Sequence, residues 1–256
     1  MLCKIQRKRF SMTSNLQAET IHFNSYDGQS VEAYLATTKG EQVGGVVVIH
    51  HFPGYDEATK EIVRKFAANG YNAICVNLYS RESPGASSDD AAAAAHARGG
   101  VPDDQLVGDV GAAAAYLRAL PNSNQRVGVI GYCSGGRQSV LAACSLDLDA
   151  AVDCYGAFVV MSRPESTMTS IVDRLPNLSC PLLGLFGVDD QYPSPEQTET
   201  LRELLTQHAK DFTFHEYEGA GHAFFAVDRA SYRPEVATEA WLEIWKFYGQ
   251  HLSSAK

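Results

Sequence analysis

Six residues, Gly131-Tyr132-Cys133-Ser134-Gly135-Gly136, set a cysteine between glycines. An apolar run over 126–130 precedes them and another over 140–144 follows. Strand, glycine-flanked turn and helix are the signature of a nucleophile elbow, a strained turn that lifts one side chain clear of the backbone. Glycines flank such a turn because a Cβ there would clash. The helix N-terminus and the Ser134 N–H then face the negative charge that develops when a carbonyl is attacked, and both favour a thiolate. Cys133 occupies the nucleophile position; Ser134 comes one residue too late. The competing reading is a buried, inert thiol in a Gly-rich turn.

A cysteine nucleophile needs a base, and the base needs a third group to fix its tautomer and orientation. Two later loops carry such groups. The apolar run 181–186 ends in Gly187-Val188-Asp189-Asp190-Gln191-Tyr192-Pro193, and the run 212–217 ends in Glu218-Gly219-Ala220-Gly221-His222. Nucleophile, acid, histidine is the chain order of α/β-hydrolase triads. Both loops follow strand C-termini, the edge where open α/β sheets bind ligands. Asp153, after the preceding strand, is an alternative position for the acid.

The elements that must position these loops follow from periodicity. Residues 21–23 and 31–36, with a Gly-containing turn between them, predict an antiparallel hairpin. The run 44–50 lacks polar alternation, as strands buried on both faces do, 71–76 reads as the next buried strand, and 126–131, 150–154, 181–186 and 212–217 read as further strands. Helical spacing occupies 57–69, 105–120, 201–208 and 236–252, and the Ala-rich 88–98 predicts a short helix. Alternating β and α segments imply an α/β fold with a mostly parallel, doubly covered sheet and an N-terminal antiparallel hairpin. The segment 158–178 is expected to cover the top of the sheet. Residues 1–16, with Lys4, Arg7, Lys8 and Arg9, read as a basic, disordered tail, and 17–256 as a single domain.

Composition narrows the function. Of 256 residues, 45% are hydrophobic and 20% charged, the balance of a soluble globular protein. A net charge of -9 argues against nucleic acid as a partner. No apolar run reaches the roughly 18–20 residues that a membrane span requires. The six cysteines are scattered, without zinc-site spacing, and suggest a reducing cytoplasm. His50 and His51 point to opposite faces of a strand and do not suggest a metal site. The expected partner is a small ester or lactone, with no cofactor, and the chain is expected as monomer or dimer.

Four stretches make the chain resemble the dienelactone hydrolase (carboxymethylenebutenolidase) family, from about residue 18 to 252. They are Val48-Ile49-His50-His51-Phe52-Pro53-Gly54, Asn77-Leu78-Tyr79-Ser80-Arg81-Glu82-Ser83-Pro84-Gly85, the elbow, and Ala220-Gly221-His222-Ala223-Phe224. The resemblance implies an α/β-hydrolase fold and a triad of Cys133, His222 and Asp189. Asp189 is chosen over Asp190 because the family's aspartate lies two residues after a glycine and four before a proline. The resemblance also adds the Phe52 N–H to that of Ser134 as an oxyanion donor.

The chain departs from the family at the substrate. Arg81 matches one of two arginines that hold the substrate carboxylate, but Ala226 stands at the second, and Ala223 replaces a polar residue. Losing one charge-assisted contact weakens binding by roughly 1.5–3 kcal/mol, about one to two orders of magnitude. His51 stands where the family has a glutamate facing the resting thiol; it either bonds to backbone or points at Cys133. The expected reaction is hydrolysis of a lactone or activated ester through a thioester on Cys133. The alternatives are a broad small-ester or thioester hydrolase, and a ligand receptor or redox sensor using Cys133.

Overall fold

The computed structural model describes residues 16–52, 54–81, 85–163 and 168–253. Residues 1–15 of the expected tail lie outside the described residues, and Leu16 already belongs to a strand. The strands are β1 (Leu16–Asn24), β2 (Ser30–Thr38), β3 (Val43–Ile49), β4 (Asn72–Val76), β5 (Ser123–Tyr132), β6 (Ala150–Cys154), β7 (Leu182–Gly187) and β8 (Phe212–Tyr217). The helices are α1 (Glu57–Ala68), α2 (Ser88–Ala97), α3 (Asp103–Arg118), α4 (Ser134–Ala143), α5 (Pro195–Gln207) and α6 (Pro234–His251).

The eight strands form one sheet in the order β1-β2-β4-β3-β5-β6-β7-β8. β1 and β2 pair antiparallel, and β2 is antiparallel to β4; from β4 through β8 every pairing is parallel. This is the α/β-hydrolase fold with its N-terminal hairpin. β3, β4 and β6 are buried along their whole length, which explains runs without alternation. α1 and α6 cover one face. The stripe Ala237, Ala240, Ile244 and Tyr248 turns α6 onto Val46, Val152 and Phe66. α3, α4 and α5 cover the other face, with Leu106, Leu117, Val140 and Leu205 on Val47, Val129 and Leu182.

Two elements differ from the sequence expectation. α5 begins at Pro195, not at 201, because Ser194 caps it: its hydroxyl accepts from the Gln197 N–H while the Gln197 side chain returns to the Ser194 N–H. The polar residues of that first turn hide the helix from a search for apolar periodicity. Within 158–178, the described residues include a 3-10 helix, Val172–Asn177, whose Leu175 is buried.

Parallel pairing brings the C-terminal ends of β3, β5, β7 and β8 to one edge. Ile49 lies beside Gly131 across the β3–β5 ladder, so the residues just after both strands meet above the sheet. At the other end of that edge, β7 and β8 pair up to Gly187 and Tyr217.

Candidate active site

Cys133 sits between β5 and α4 with φ 59° and ψ -120°, a conformation that L-residues rarely adopt. The strain is held by close packing. A Cβ at Gly131 would fall 1.8 Å from the Gly135 carbonyl oxygen, and one at Gly136 would fall 2.3 Å from an Asp153 carboxylate oxygen. Glycine is thus the residue that lets the turn close at both positions. The Cys133 N–H bonds to the Cys154 carbonyl at 3.1 Å, fixing the elbow to β6.

The His222 side chain and the backbone N–H groups of Ser134 and Phe52 act on the Cys133 thiol as donors, and each lowers its pKa. Burial alone opposes a thiolate, but these bonds and the charge on His222 outweigh it and hold the thiol below its ordinary value. The other described cysteines are shifted the opposite way. Burial raises Cys75 and Cys154, and pushes Cys144 and Cys180 up to about 12. Among the described residues, Cys133 is the cysteine placed to ionise.

His222 follows β8 and is half-buried. Its Nδ1–H donates to Asp190 Oδ2 at 2.9 Å, which leaves Nε2 for the sulfur. Burial would lower the ring's pKa; the bonds to Asp190 and to Cys133 outweigh it and raise it to about 10. The thiol is shifted down and the imidazole up, each in part by the other.

The acid position falls on Asp190, one residue later than the Gly and Pro spacing places it. The loop after β7 turns through an Asp190 N–H to Gly187 C=O bond of 3.2 Å. That turn sends Asp190 inward, where it is buried and also accepts from the Tyr192 N–H at 2.9 Å. Asp189 faces solvent, and its N–H ties the loop to the Ala220 carbonyl at 2.9 Å. Gly187 permits this close approach, since a Cβ there would lie 2.2 Å from the Ala220 oxygen. Asp153 is buried under the elbow, away from the imidazole. One of its oxygens accepts from the Gly156 N–H at 2.7 Å, the other has no partner, and burial raises its pKa to about 7.

Arg81, expected at the substrate, is paired within the fold. Its guanidinium grips Asp109 of α3 with bonds of 2.6 and 2.7 Å and reaches Asp27 at 3.4 Å. Asp109 is fully buried, and Ser25 donates a short hydrogen bond to it. A carboxylate in the interior captures the arginine more firmly than a solvated ligand could, because it has no water to turn to.

His51 is likewise turned from the sulfur. Its Nε2 meets Asp56 Oδ2 at 3.1 Å, and that pairing helps to hold Asp56 well below the carboxylate range. Asp56 also caps α1 by accepting from the Thr59 N–H. The neighbouring His50 is buried: Nδ1 donates to the His51 carbonyl at 2.8 Å and Nε2 accepts from the Leu78 N–H at 3.3 Å. Burial lowers its pKa to about 4, so it stays neutral and structural.

Beside Cys133 and His222, a cavity of about 300 Å³ opens between α1, α6 and residues 225–228. His51, Ile62, Tyr132, Tyr155, Phe225 and Ala226 are among its lining residues, and Lys65, Glu61 and Asp228 stand around it. It adjoins the reacting groups: Tyr132 precedes Cys133, and the Tyr155 ring centroid is 5.2 Å from that of His222. Two of the three departures noted from the sequence, His51 and Ala226, lie on its wall. Sequence reasoning missed the tyrosines, although Tyr132 is the variable residue of the elbow itself.

Comparison with known proteins agrees with this architecture. The family model described as the dienelactone hydrolase family matches residues 31–252. A candidate carboxymethylenebutenolidase of Escherichia coli K12 is 32% identical over 229 residues, 87% of this chain and 84% of that protein. A candidate 2-oxo-3-(5-oxofuran-2-ylidene)propanoate lactonase of Bradyrhizobium is 28% identical over 244 residues, 93% of this chain and 98% of the other. The crystal structure of a candidate dienelactone hydrolase from Klebsiella pneumoniae superposes with a TM-score of 0.82 at 28% identity, covering 92% of this chain and 99% of that one. With the family model matching residues 31–252, most of the chain, and a cysteine at the elbow between β5 and α4, the chain belongs to the dienelactone hydrolase family.

Proposed function

We propose that the chain hydrolyses small lactones or activated esters, with Cys133 as nucleophile, His222 as base and acid, and Asp190 as the group that orients the imidazole. The observation that carries this reading is geometric: a strained elbow sets Cys133 at the start of α4, and the His222 ring is fixed by Asp190 at 2.9 Å; the thiol shifted down and the imidazole shifted up agree with it. A thiolate attacks the carbonyl carbon, and the oxyanion takes the Ser134 and Phe52 N–H groups. Collapse of the tetrahedral intermediate breaks the ester C–O bond, and the imidazolium gives its proton to the departing oxygen. The neutral imidazole next takes a proton from water, whose oxygen attacks the thioester. The second tetrahedral intermediate expels the thiolate, and the proton on His222 restores the pair.

Thiolate is a better leaving group than alkoxide, so the first intermediate returns to starting ester unless the ester oxygen also leaves well. Enol lactones and aryl esters therefore suit the site better than alkyl esters. The engagement of Arg81 with Asp109, and alanine at position 226, favour substrates recognised without a paired-arginine clamp. The expected result is turnover of an uncharged aryl ester that falls by about a thousandfold or more in Cys133→Ala. Steady-state kinetics against a dienelactone and a neutral aryl ester checks this. A single stoichiometric modification of Cys133 without turnover would instead favour the receptor or sensor reading.

A further inference from the structure

The cavity beside the triad has three features that together describe a ligand. First, its inner wall is aromatic. Tyr132, Tyr155, Phe225 and Trp241 all line it, with Ile62 of α1 opposite. These rings are locked among themselves: Tyr132 and Phe225 meet edge to face at 5.6 Å, and Phe225 and Trp241 at 5.5 Å. Such a wall is shaped for a flat apolar group.

Second, the wall holds one unanswered polar atom. Tyr132 is 3% exposed, and its hydroxyl has no hydrogen-bond partner. A buried hydroxyl normally finds a partner, because leaving it without one costs more than the net gain of a bond. The residue lines the cavity and adjoins the nucleophile, but its hydroxyl is closed off from the open space, so a ligand that supplies the acceptor must be accompanied by a small turn of the ring.

Third, the charge around the cavity does not suit an anion. Glu61 and Asp228 are acidic, and Asp56 stands behind His51. Lys65 is the one cation among the lining residues, and its Nζ already lies 3.8 Å from the centre of the Trp241 ring. Arg229 is exposed and outside the lining.

We infer that this cavity is the subsite for a neutral, aromatic-sized group of the substrate, which gives one oxygen acceptor to the Tyr132 hydroxyl. The inference rests on the proposed hydrolase reading of Cys133 and deepens it: the preferred substrates are uncharged aryl-bearing esters or lactones, and Ala226 sets that preference by leaving the cavity open. Tyr132 is thereby a specificity-determining residue.

Binding separates the subsite from the chemistry. Three phenylacetamides, bearing 4-methoxy, 4-ethyl or 4-carboxylate groups, are titrated calorimetrically into the Cys133→Ala protein, so that no turnover intervenes. The 4-methoxy compound is expected to bind at least tenfold tighter than the 4-carboxylate. Adding Ala226→Trp, which fills the cavity from its loop, is expected to weaken the 4-methoxy compound at least tenfold. Adding Tyr132→Phe instead is expected to weaken it roughly three- to tenfold, the loss of one hydrogen bond, and to leave the 4-ethyl compound unchanged. Circular dichroism and Tm verify that each variant is folded. Tightest binding by the carboxylate, indifference to Ala226→Trp, equal losses for both neutral compounds in Tyr132→Phe, or no binding at all overturns the inference. Ester turnover by the unsubstituted protein is measured separately. Turnover without amide binding strikes the subsite alone, and binding without turnover strikes the hydrolase reading alone.

Discussion

At the scale of single residues, two neighbouring aspartates have opposite environments. Asp190 is buried against His222, while Asp189 faces solvent and contributes mainly its backbone. Asp190→Asn is expected to lower kcat on the order of 10²–10⁴-fold, through the wrong tautomer and a weakened imidazolium, and to raise the pH midpoint of Cys133 alkylation. Asp189→Asn is expected to change kcat less than about threefold. Iodoacetamide kinetics across pH, together with steady-state rates, checks both. The placement of Cys133 on the turn after β5, and of His222 after β8, was legible because glycines and chain order mark them. The choice between the aspartates was not, since a single i to i+3 bond in the turn decides which carboxylate points inward. Asp153 supplies a separate expectation. Its folded-state pKa, about 7, lies above the ordinary carboxylate value, so the folded protein binds the extra proton. Stability is then full below about pH 4 as far as this group is concerned, and is lost as pH rises through 7. Asp153→Asn should remove that fall, which Tm measured from pH 5 to 8 will display.

At the scale of elements, buried arginines join pieces that hydrophobic packing alone would leave free to slide. Arg137 of α4, fully buried, makes a paired contact with Asp103 at the start of α3, both bonds 2.8 Å, and also donates to the Thr169 carbonyl. Arg81 and Asp109 do the same for the loop after β4 and the middle of α3. Removing one partner of such a pair strands the other charge and costs about 3–5 kcal/mol. Arg81→Met is therefore expected to lower Tm by roughly 6–20 °C while leaving KM for a neutral ester within about twofold. A differential scan and one KM determination test this. The sequence offers no means of seeing the pair: Arg81 matches a substrate-binding position, and its partner lies 28 residues away on a helix. The helices themselves were legible from apolar spacing, except where capping polar residues begin α5.

At the scale of the whole molecule, the site is assembled from the ends of β3, β5, β7 and β8, and the pairings β3–β5 and β5–β6–β7–β8 determine its spacing. One sheet serves both faces. Trp241 and Trp245 report on the α1/α6 face, and Cys144 and Cys180 on the α3/α4/α5 face. Because every strand of the parallel core packs on both sides, tryptophan fluorescence and alkylation of Cys144 and Cys180 are expected to change at the same urea concentration. Separated midpoints would mean that one helical layer detaches first. The parallel sheet was legible as a class, because uninterrupted apolar runs alternate with helical spacing. Its strand order was not, since crossovers leave no local mark in the sequence.

The hydrogen bonds from Ser134 and Phe52 to the resting sulfur have a consequence for how much those donors can accelerate the reaction. In the proposed reaction they hold negative charge before the substrate arrives and hold it again, on oxygen, at the transition state. Only the difference between the two states counts toward rate. With an alcohol nucleophile, which is neutral at rest, the same two donors would gain almost their full strength during attack. Here they hand charge from one atom to another nearby, so each contributes less to the barrier and more to keeping the nucleophile ionised.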